Sequence, residues 1–337
     1  MILRVADSSE VSVARRATGG LARELGLDET RSGRAALVVT EMATNLLKHA
    51  GGGQIALARL VDHAGGLELL SLDKGDGIAD LPRALEDGVS SVGSAGTGLG
   101  AIRRQADRFA VFSRPGLGTA VMARLYAKNP PPAPDEITIG AVVAPYPGET
   151  QCGDAWTYAN PMKGPTILSV DGSGHGPLAE LAARTAIDAF DKNREADCPR
   201  LVETIHRALA PTRGAAVAVA RVDRSERIVR FVGVGNISGA VIVGNAVRRM
   251  VSHNGTAGHI APRIREFTYP YGGPNGGDVT IILHSDGISA KWDLDSYPGL
   301  AASHPSLIAG ILFRDHRRGR DDASIAVLRV AARRDGT

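Results

Sequence analysis

The sequence has few cysteines, few aromatic residues and no long apolar run, and each shortage excludes a class of protein. Its 337 residues include two cysteines, two tryptophans, six tyrosines and six phenylalanines. Cys152 and Cys198 form no C-x-x-C pair, which argues against a disulfide scaffold and fits a reducing compartment. The longest charge-free stretch, 296–313, contains two prolines and favours a loop and a helix over a membrane span. The N-terminal residues become polar too soon for a signal peptide, so we expect a cytoplasmic protein without a membrane partner.

An excess of charge of one sign is also lacking. Lys and Arg number 39 against 36 Asp and Glu, which leaves a formal net charge of +3. The arginines are scattered rather than clustered with aromatic residues, so we expect no nucleic-acid partner. The hydrophobic content of 43% is enough for full cores, and the length predicts about two domains.

A proline-rich segment predicts where the chain divides. Four prolines fall within residues 129–135, where they favour an extended spacer and supply no donors to a helix or a sheet. We therefore predict a first domain over 1–128, a linker over 129–135 and a second domain over 136–332.

The order of apolar patterns predicts an α+β fold class for both domains. The first domain has two helical patterns, one beginning near Ser8 and one running from Asp28 to Ala50, and strand patterns and a short helix follow. This order predicts a layer of helices on one face of a mixed, largely antiparallel sheet. The second domain has many short strand patterns and few helices, which predicts an α-β-β-α sandwich of two stacked sheets flanked by helices.

A polar stripe in the first domain begins the first candidate site. Glu41, Asn45 and His49 recur every four residues and therefore share one side of a helix. A carboxylate beside a carboxamide suits a nucleotide–Mg²⁺ site, because Mg²⁺ takes most of its oxygen ligands from phosphates and water. Taken alone, the stripe is more typical of a solvated helix face.

Two glycine-containing motifs follow the stripe. Asp73 ends a strand pattern, and its carboxylate can accept the amine of adenine while Gly75 and Gly77 let the backbone approach the ring. A glycine-rich loop then opens a helix, where backbone N–H groups can hold phosphates. Its candidate residues are Gly96, Thr97, Gly98, Leu99 and Gly100. The sequence has no G-x-x-x-x-G-K-[ST] motif, which excludes a P-loop NTPase.

Together the three motifs resemble the ATP-binding domain shared by histidine kinases and gyrase-type ATPases, over roughly residues 5–126. The residue pattern around Glu41 and Asn45 is most similar to that of the anti-sigma-factor serine kinases of the RsbW and RsbT type. This resemblance implies ATP and Mg²⁺ as cofactors, Glu41 as general base and Asn45 as the Mg²⁺ ligand, with the other motif residues around the nucleotide. Because the resembled kinases often pair, it also implies a homodimer.

Aspartates recur at strand ends of the second domain and form the second candidate site. They are Asp154, Asp171, Asp286 and Asp321, each beside small residues. Singly, each is typical of an aspartate in a turn. Carboxylates that converge raise one another's pKa unless cations neutralise them, and all-oxygen ligands favour Mg²⁺ or Mn²⁺. Two such ions can activate a water for attack on a phosphate.

In this order the acidic motifs resemble the type 2C metal-dependent serine/threonine phosphatases, in particular their SpoIIE and RsbX branch, over about residues 137–330. The resemblance implies two Mn²⁺ or Mg²⁺ ions. It further implies that Asp154 and Asp171 contact both ions, that Gly172 contributes its carbonyl, and that Asp286 and Asp321 bind one metal.

Several nearby positions depart from that pattern or stay open. Cys152 stands where glycine is commoner, and Asp322 is expected behind the metal ligands. Ser173 stands where eukaryotic members have histidine, which leaves His175 as either a structural residue at a helix start or a proton donor. The glycine-rich segment 233–239 lies between two strand patterns and predicts a hairpin rather than a dinucleotide-binding loop.

A serine kinase fused to a serine phosphatase implies opposing activities on one pathway. The resemblance points to a bifunctional regulator that removes phosphate from Ser/Thr of a STAS-domain protein and adds it with ATP, in partner-switching signalling. A sigma factor or another partner-switching protein is then a further partner. The alternative is a phosphatase whose first domain binds ATP and a partner without chemistry.

Overall fold

A division after Ala133 separates two units of the chain, Met1–Ala133 and Pro134–Thr337, in the computed structural model. The structure describes residues 1–60, 65–86, 98–131, 136–244, 246–261, 263–272 and 277–332. The division falls within the predicted linker 129–135, of which residues 132–135 lie outside the described part of the chain.

The first unit is a layer of helices on a five-stranded sheet. Its elements are β1 (Ile2–Val5), α1 (Ser8–Glu24), α2 (Glu29–Ala50), β2 (Gly53–Arg59), β3 (Gly66–Leu72), α3 (Leu81–Ala84), α4 (Leu99–Gln105), β4 (Arg108–Ser113) and β5 (Thr119–Tyr126). The strand order is β1-β2-β3-β5-β4. Every described pair of neighbours is antiparallel, where we predicted a mixed sheet. The short connection 114–118 permits only an antiparallel pairing of β4 with β5.

Capping residues fix the ends of the two long helices. Asp7 precedes α1 and accepts the Ser9 N–H at 2.8 Å, while Glu10 accepts the Asp7 N–H at 3.2 Å, a capping box. Asp28 caps α2 by accepting the Arg31 N–H at 2.7 Å. The helix ends at Gly51, whose φ of +66° is left-handed and costs glycine little.

The core of the first unit lies between these helices and one face of the sheet. The apolar side of α2 packs onto alternating residues of β2, β3 and β5, which the pleat turns to the same face. These residues are fully or almost fully buried: Val38, Met42, Leu46, Ile55, Leu57, Leu67, Leu69, Val121 and Leu125.

The second unit contains more strands. Its elements are β6 (Ile137–Ala144), β7 (Asp154–Ala159), β8 (Thr166–Gly172), α5 (Pro177–Asn193), α6 (Cys198–Leu209), β9 (Ala215–Asp223), β10 (Ile228–Val234), β11 (Ser238–Val243), β12 (Ala246–Met250), β13 (Phe267–Pro270), β14 (Val279–His284), α7 (Pro305–His316) and β15 (Ala323–Val330). Two short 3₁₀ helices, Leu294–Ser296 and Leu300–Ala302, precede α7.

These elements form four layers. One sheet has the order β13-β10-β9-β8-β7 and the other β12-β11-β14-β15-β6, with an apolar core between them. Helices α5 and α6 cover the outer face of the first sheet over a second core, and α7 packs on β6 and β15 of the other. The predicted α-β-β-α sandwich is confirmed.

The segment 233–239 does not form the predicted hairpin. Strand β10 pairs with β9 and β13, whereas β11 pairs with β12 and β14, so residues 235–237 cross from one sheet to the other. Two apolar runs around a glycine-rich turn are the signal of both arrangements, and only the pairing partners distinguish them.

Two adjacent glycines in α1 give a testable prediction about stability. The helix runs through Gly19 and Gly20, and a Cβ at either position would meet no atom within 4 Å. Replacing either by alanine should raise the free energy of unfolding by about 0.5–1 kcal/mol, because the unfolded chain loses freedom and helix propensity rises. Circular dichroism should show the higher transition.

A matched control lies just beyond the same helix. Gly26 has equal room for a Cβ but a φ of +74°, so Gly26→Ala should destabilise instead. Both tryptophans, Trp156 and Trp292, belong to the second unit, so circular dichroism rather than tryptophan fluorescence reports on α1. A lower transition in both Gly19→Ala and Gly20→Ala would contradict the prediction.

Candidate functional site

The C-terminal half of α2 carries the polar stripe and meets the turn after β3. Glu41 and Asn45 are half-buried on this helix, and His49 near its end is exposed. Gly75 packs so closely on the helix end that a Cβ there would lie 2.9 Å from the Ala50 Cβ and 3.0 Å from the His49 oxygen. The structure thus brings the stripe and the Asp73 motif to one end of α2.

Backbone donors hold the Asp73 carboxylate in place. Its Oδ1 accepts the Gly75 N–H at 2.9 Å and the Thr119 N–H at 3.0 Å. Gly77 has a φ of +75°, and a Cβ there would lie 2.0 Å from the Arg114 oxygen. We attributed the two glycines to a close approach of adenine; the close approaches in the structure are to protein backbone, which by itself requires glycine.

Partial burial of the Glu41 carboxylate changes its pKa. Burial raises the pKa of Glu41, and the nearby Lys48 ammonium offsets part of that shift. A carboxylate with a raised pKa is a better proton acceptor, which suits a general base.

The glycine-rich loop is described only at its end. Gly98 precedes α4, where Leu99 and Gly100 are buried, and α4 packs on α2. Arg34 of α2 fixes this packing by donating to the Gln105 oxygen at 2.8 Å. The predicted phosphate-binding residues Gly96 and Thr97 lie outside the described residues.

One end of the second unit gathers the aspartates of the other candidate site. Asp154 begins β7 and is the register partner of Asp171 near the end of β8. Asp286 follows β14, and Asp321 precedes β15, which pairs with β14. Positions more than 150 residues apart in the sequence therefore meet at the same edge of the sandwich.

The negative charges at this edge act on one another. Burial raises the pKa of Asp171, and the carboxylates of Asp154, Asp286, Asp321 and Asp322 raise it further. Burial also raises the pKa of Asp154, with Asp322 and Asp321 contributing in the same direction. Such a cluster is stable in its charged form only if cations neutralise it.

The buried oxygens of Asp154 fit a bound cation. Asp154 is 3% exposed, and neither of its carboxylate oxygens has a hydrogen-bond partner in the described structure. The Ser285 and Ser324 hydroxyls lower its pKa and offset part of the effect of burial, although neither lies in hydrogen-bonding geometry. A buried carboxylate without donors is costly, and an oxygen-seeking divalent ion removes that cost.

The two glycines beside Asp154 and Asp171 leave room for nothing larger. A Cβ on Gly172 would lie 2.3 Å from the Ala179 oxygen, and one on Gly153 would lie 2.6 Å from the Ala179 Cβ. The Gly172 N–H also donates to the Gly153 oxygen at 3.0 Å. Within the described ranges, no three Asp, Glu, His or Cys groups are close enough to hold one ion by themselves. An ion here would therefore need carbonyl or water ligands as well.

The Asp322 side chain holds two loops together by hydrogen bonds, and the sequence alone did not identify these partners. Its two oxygens accept the Tyr146 N–H at 2.6 Å and the Gly153 N–H at 2.8 Å. Asp322 thus joins the loop after β6 to the residue before Asp154. Burial and the carboxylates of Asp154 and Asp322 raise the pKa of Cys152, which keeps this thiol protonated.

Asn236 was also missed as a site residue. Its side-chain N–H donates to Asp286 Oδ2 at 2.8 Å from the crossing between β10 and β11. From the sequence we interpreted residues 235–237 as a hairpin turn. Interpreting them as a connection between two sheets would have made Asn236 a candidate site residue. Two residues before Asp286, His284 is fully buried, and this burial lowers the pKa of its imidazole to about 4.

The structure places His175 in a packing contact. Its ring stacks on Tyr146 with centroids 4.5 Å apart, and its Nδ1 lies 3.2 Å from Glu149 Oε1. The side chain is half exposed in the loop between β8 and α5. These contacts join two loops at the edge of the aspartate cluster and favour the structural role for His175.

Comparisons with known proteins show what each of the two units resembles. The profile of the histidine kinase-like ATPase domain matches residues 5–125. The serine/threonine-protein kinase RsbT of Bacillus subtilis (strain 168) is 33% identical over 122 residues, which are 36% of this chain and 92% of the kinase. Through its first unit the chain belongs to this kinase-like ATPase family.

Solved structures show the fold of the remainder. RsbX, solved in complex with magnesium, superposes with a TM-score of 0.51 at 18% identity over 58% of this chain and 96% of its own. A chain from a study of the bacterial stressosome superposes with the same TM-score at 24% identity, over 58% of this chain and 100% of its own. The superposed part of this chain is longer than the first unit and close in length to the second unit.

The chain is therefore a kinase-like ATPase domain fused to a domain with the type 2C phosphatase fold. Within the described residues, no helix is both long enough and apolar enough to cross a membrane.

The burial of Asp154 gives a prediction for the metal-free protein. Asp154→Asn should raise the melting temperature of the second unit by several degrees near pH 8, because the variant removes an uncompensated buried charge, and burial raises the pKa of Asp154 to about 7. The folded-state pKa lies above the unfolded value, so lowering the pH protonates the folded wild type first and stabilises it. The gain should therefore shrink towards about pH 4.

Tryptophan-fluorescence melting in the presence of a chelator measures this effect. Asp188→Asn on the exposed side of α5 is the matched control and should leave the melting temperature unchanged. A melting temperature for Asp154→Asn below that of the metal-free wild type near pH 8 would contradict the account.

Proposed function

We propose that the protein is a cytoplasmic bifunctional regulator of partner switching. Its second unit removes phosphate from Ser/Thr of a STAS-domain protein, and its first unit phosphorylates such a protein with ATP. The observation that carries the phosphatase assignment is the donor-free, buried Asp154 carboxylate beside four other carboxylates, at one edge of a type 2C phosphatase fold.

The aspartate edge would hold a pair of Mg²⁺ or Mn²⁺ ions. Asp154 and Asp171 would contact the two ions, the Gly172 carbonyl would contribute a ligand, and Asp286 and Asp321 would bind one metal. Water would supply the remaining ligands, because the described acidic groups are not close enough to hold an ion by themselves. Such ions supply charge neutralisation and a nucleophilic water for attack on phosphorus. The chain's own contribution is to fix the ligands: Asp322 and Asn236 hold the loops that carry them.

The end of α2 would hold ATP–Mg²⁺ in the first unit. Asp73 would accept the adenine amine, Gly75, Gly77 and His49 would line the nucleotide, and residues 96–100 would hold its phosphates. Asn45 would bind Mg²⁺. Glu41 would accept the proton of the substrate hydroxyl, and its raised pKa supports that role.

The proposed partners follow from the relatives. RsbT is by name a serine/threonine-protein kinase, and one structural neighbour comes from the stressosome. A STAS-domain substrate, a sigma factor or similar further partner, and a homodimer through the first unit extend those likenesses to this chain.

The phosphatase proposal predicts a dependence on Asp286. With a phosphorylated STAS protein and Mn²⁺, wild type should release phosphate, and Asp286→Ala should lower the rate by about 100-fold or more, because a metal ligand is lost. Release of phosphate is followed by mass spectrometry of the substrate. Asp188→Ala, on the exposed side of α5, is the control and should keep the wild-type rate. Equal rates for Asp286→Ala and wild type would refute the assignment.

The kinase proposal predicts a dependence on Glu41. Glu41→Gln should keep ATP binding but lower phosphotransfer to the unphosphorylated STAS protein by about 100-fold or more, since the proton acceptor is removed. Phosphotransfer is measured with labelled ATP in the Asp286→Ala background, where the product persists. Glu29→Gln, on the first turn of the same helix, should have no effect.

The same experiment distinguishes the alternative, in which the first unit binds ATP without transferring phosphate. If wild type and Glu41→Gln both transfer no phosphate while ATP still changes the rate of dephosphorylation, the first unit is a non-catalytic regulator.

A further inference from the structure

We propose that Trp292 and His284 are positioning residues for the metal site, acting through the turn that carries Asp286. Neither side chain would touch an ion. Their role rests on the proposed function, because it concerns one of the aspartates assigned there to metal binding.

The His284 ring is fixed by two hydrogen bonds. It is fully buried; its Nε2 lies 3.1 Å from Trp292 Nε1, and its Nδ1 lies 2.9 Å from the Ser285 oxygen. An indole N–H is only a donor, so Nε2 must accept and the ring proton must be on Nδ1. Nδ1–H then donates to the Ser285 carbonyl. The indole therefore selects the form of His284 that can hold the turn.

The turn held in this way has little freedom elsewhere. The Ser285 N–H donates to the Ser324 oxygen at 3.1 Å, and the Ser285 hydroxyl accepts the Ser324 N–H at 3.0 Å. Gly287 lies so close to the Asp322 oxygen that a Cβ would come within 1.9 Å of it. Asp286 stands between these anchors, with Asn236 donating to its Oδ2.

Trp292 is itself clamped from the surface. The Arg249 guanidinium lies 3.6 Å from the centroid of the indole ring and donates to the Trp292 oxygen at 2.7 Å. Trp292 is only 2% exposed. The contacts form one series, from Arg249 on β12 through Trp292 and His284 to the Ser285 carbonyl.

Loss of the indole donor should act on metal affinity. Without it, His284 Nε2 is buried and unsatisfied, and the ring gains no preference for the proton on Nδ1. Residues that orient metal ligands commonly affect metal affinity by about 10–100-fold when they are replaced. A residue that only fills the core affects stability instead.

The test is Mn²⁺ binding by calorimetry on the full chain. Trp292→Phe keeps an aromatic ring and removes the N–H; it should weaken Mn²⁺ binding by about tenfold. Trp156→Phe is the matched control, because it makes the same change at the other tryptophan of the chain, which is half-buried against the core between the sheets. It should bind Mn²⁺ as wild type does.

A double variant separates positioning from stability. His284→Leu with Trp292→Phe leaves no unsatisfied buried nitrogen, yet the Ser285 carbonyl still has no imidazole donor. It should bind Mn²⁺ as weakly as Trp292→Phe, whatever its melting temperature. Wild-type affinity in Trp292→Phe, or an affinity that recovers in the double variant, would overturn the inference. A wild-type chain that binds no Mn²⁺ would instead refute the proposed function on which it rests.

Discussion

The concentration of negative charge around Asp154 is the constraint on which the second unit depends. A β-sandwich places strand ends at two edges, and at one of these edges burial and neighbouring carboxylates raise the pKa values of Asp154 and Asp171. The two oxygens of Asp154 are buried and have no donor among the described residues. Burying these carboxylates without partners costs folding free energy, which a bound ligand would offset. Divalent cations are the ligands that suit oxygen donors of this charge.

The other polar residues at this edge serve to hold the loops. Asp322 uses both oxygens on backbone N–H groups from two different loops, so it resists displacement although it is itself buried and charged. Asn236 reaches Asp286 from the crossing between the sheets. In the first unit, Asp73 is held in the same way by two backbone N–H groups. In both units, backbone donors fix a carboxylate before any ligand arrives, which is the preorganisation that binding sites require.

The fold class was predictable because long, buried strands and capped helices have strong local patterns. Strands β9, β14 and β15 begin and end where the apolar runs do, and Asp28 and Gly51 mark the ends of α2. Four strands lie at sheet edges, where short length and exposed faces weaken the sequence pattern: β1, β7, β12 and β13.

The candidate site was predictable only in part, for a related reason. The aspartates stand beside glycines at strand ends, and that signal is local. The partners of Asp286 are Asn236, Ser285, Trp292 and His284. They act through contacts between strand ends and loops that only the folded chain brings together, and no spacing in the sequence records such contacts. The crossing at 235–237 illustrates this limit, because its residues read equally as a hairpin.

The most direct measurement of the central claim is a crystal structure of the chain grown with Mn²⁺, in which anomalous scattering locates the ions. The account predicts two anomalous peaks at the edge formed by Asp154, Asp171, Asp286 and Asp321, with Asp154 contacting both ions. Crystals soaked at saturating Mn²⁺ that show no peak at this edge, while Asp154 keeps both oxygens buried, would contradict it.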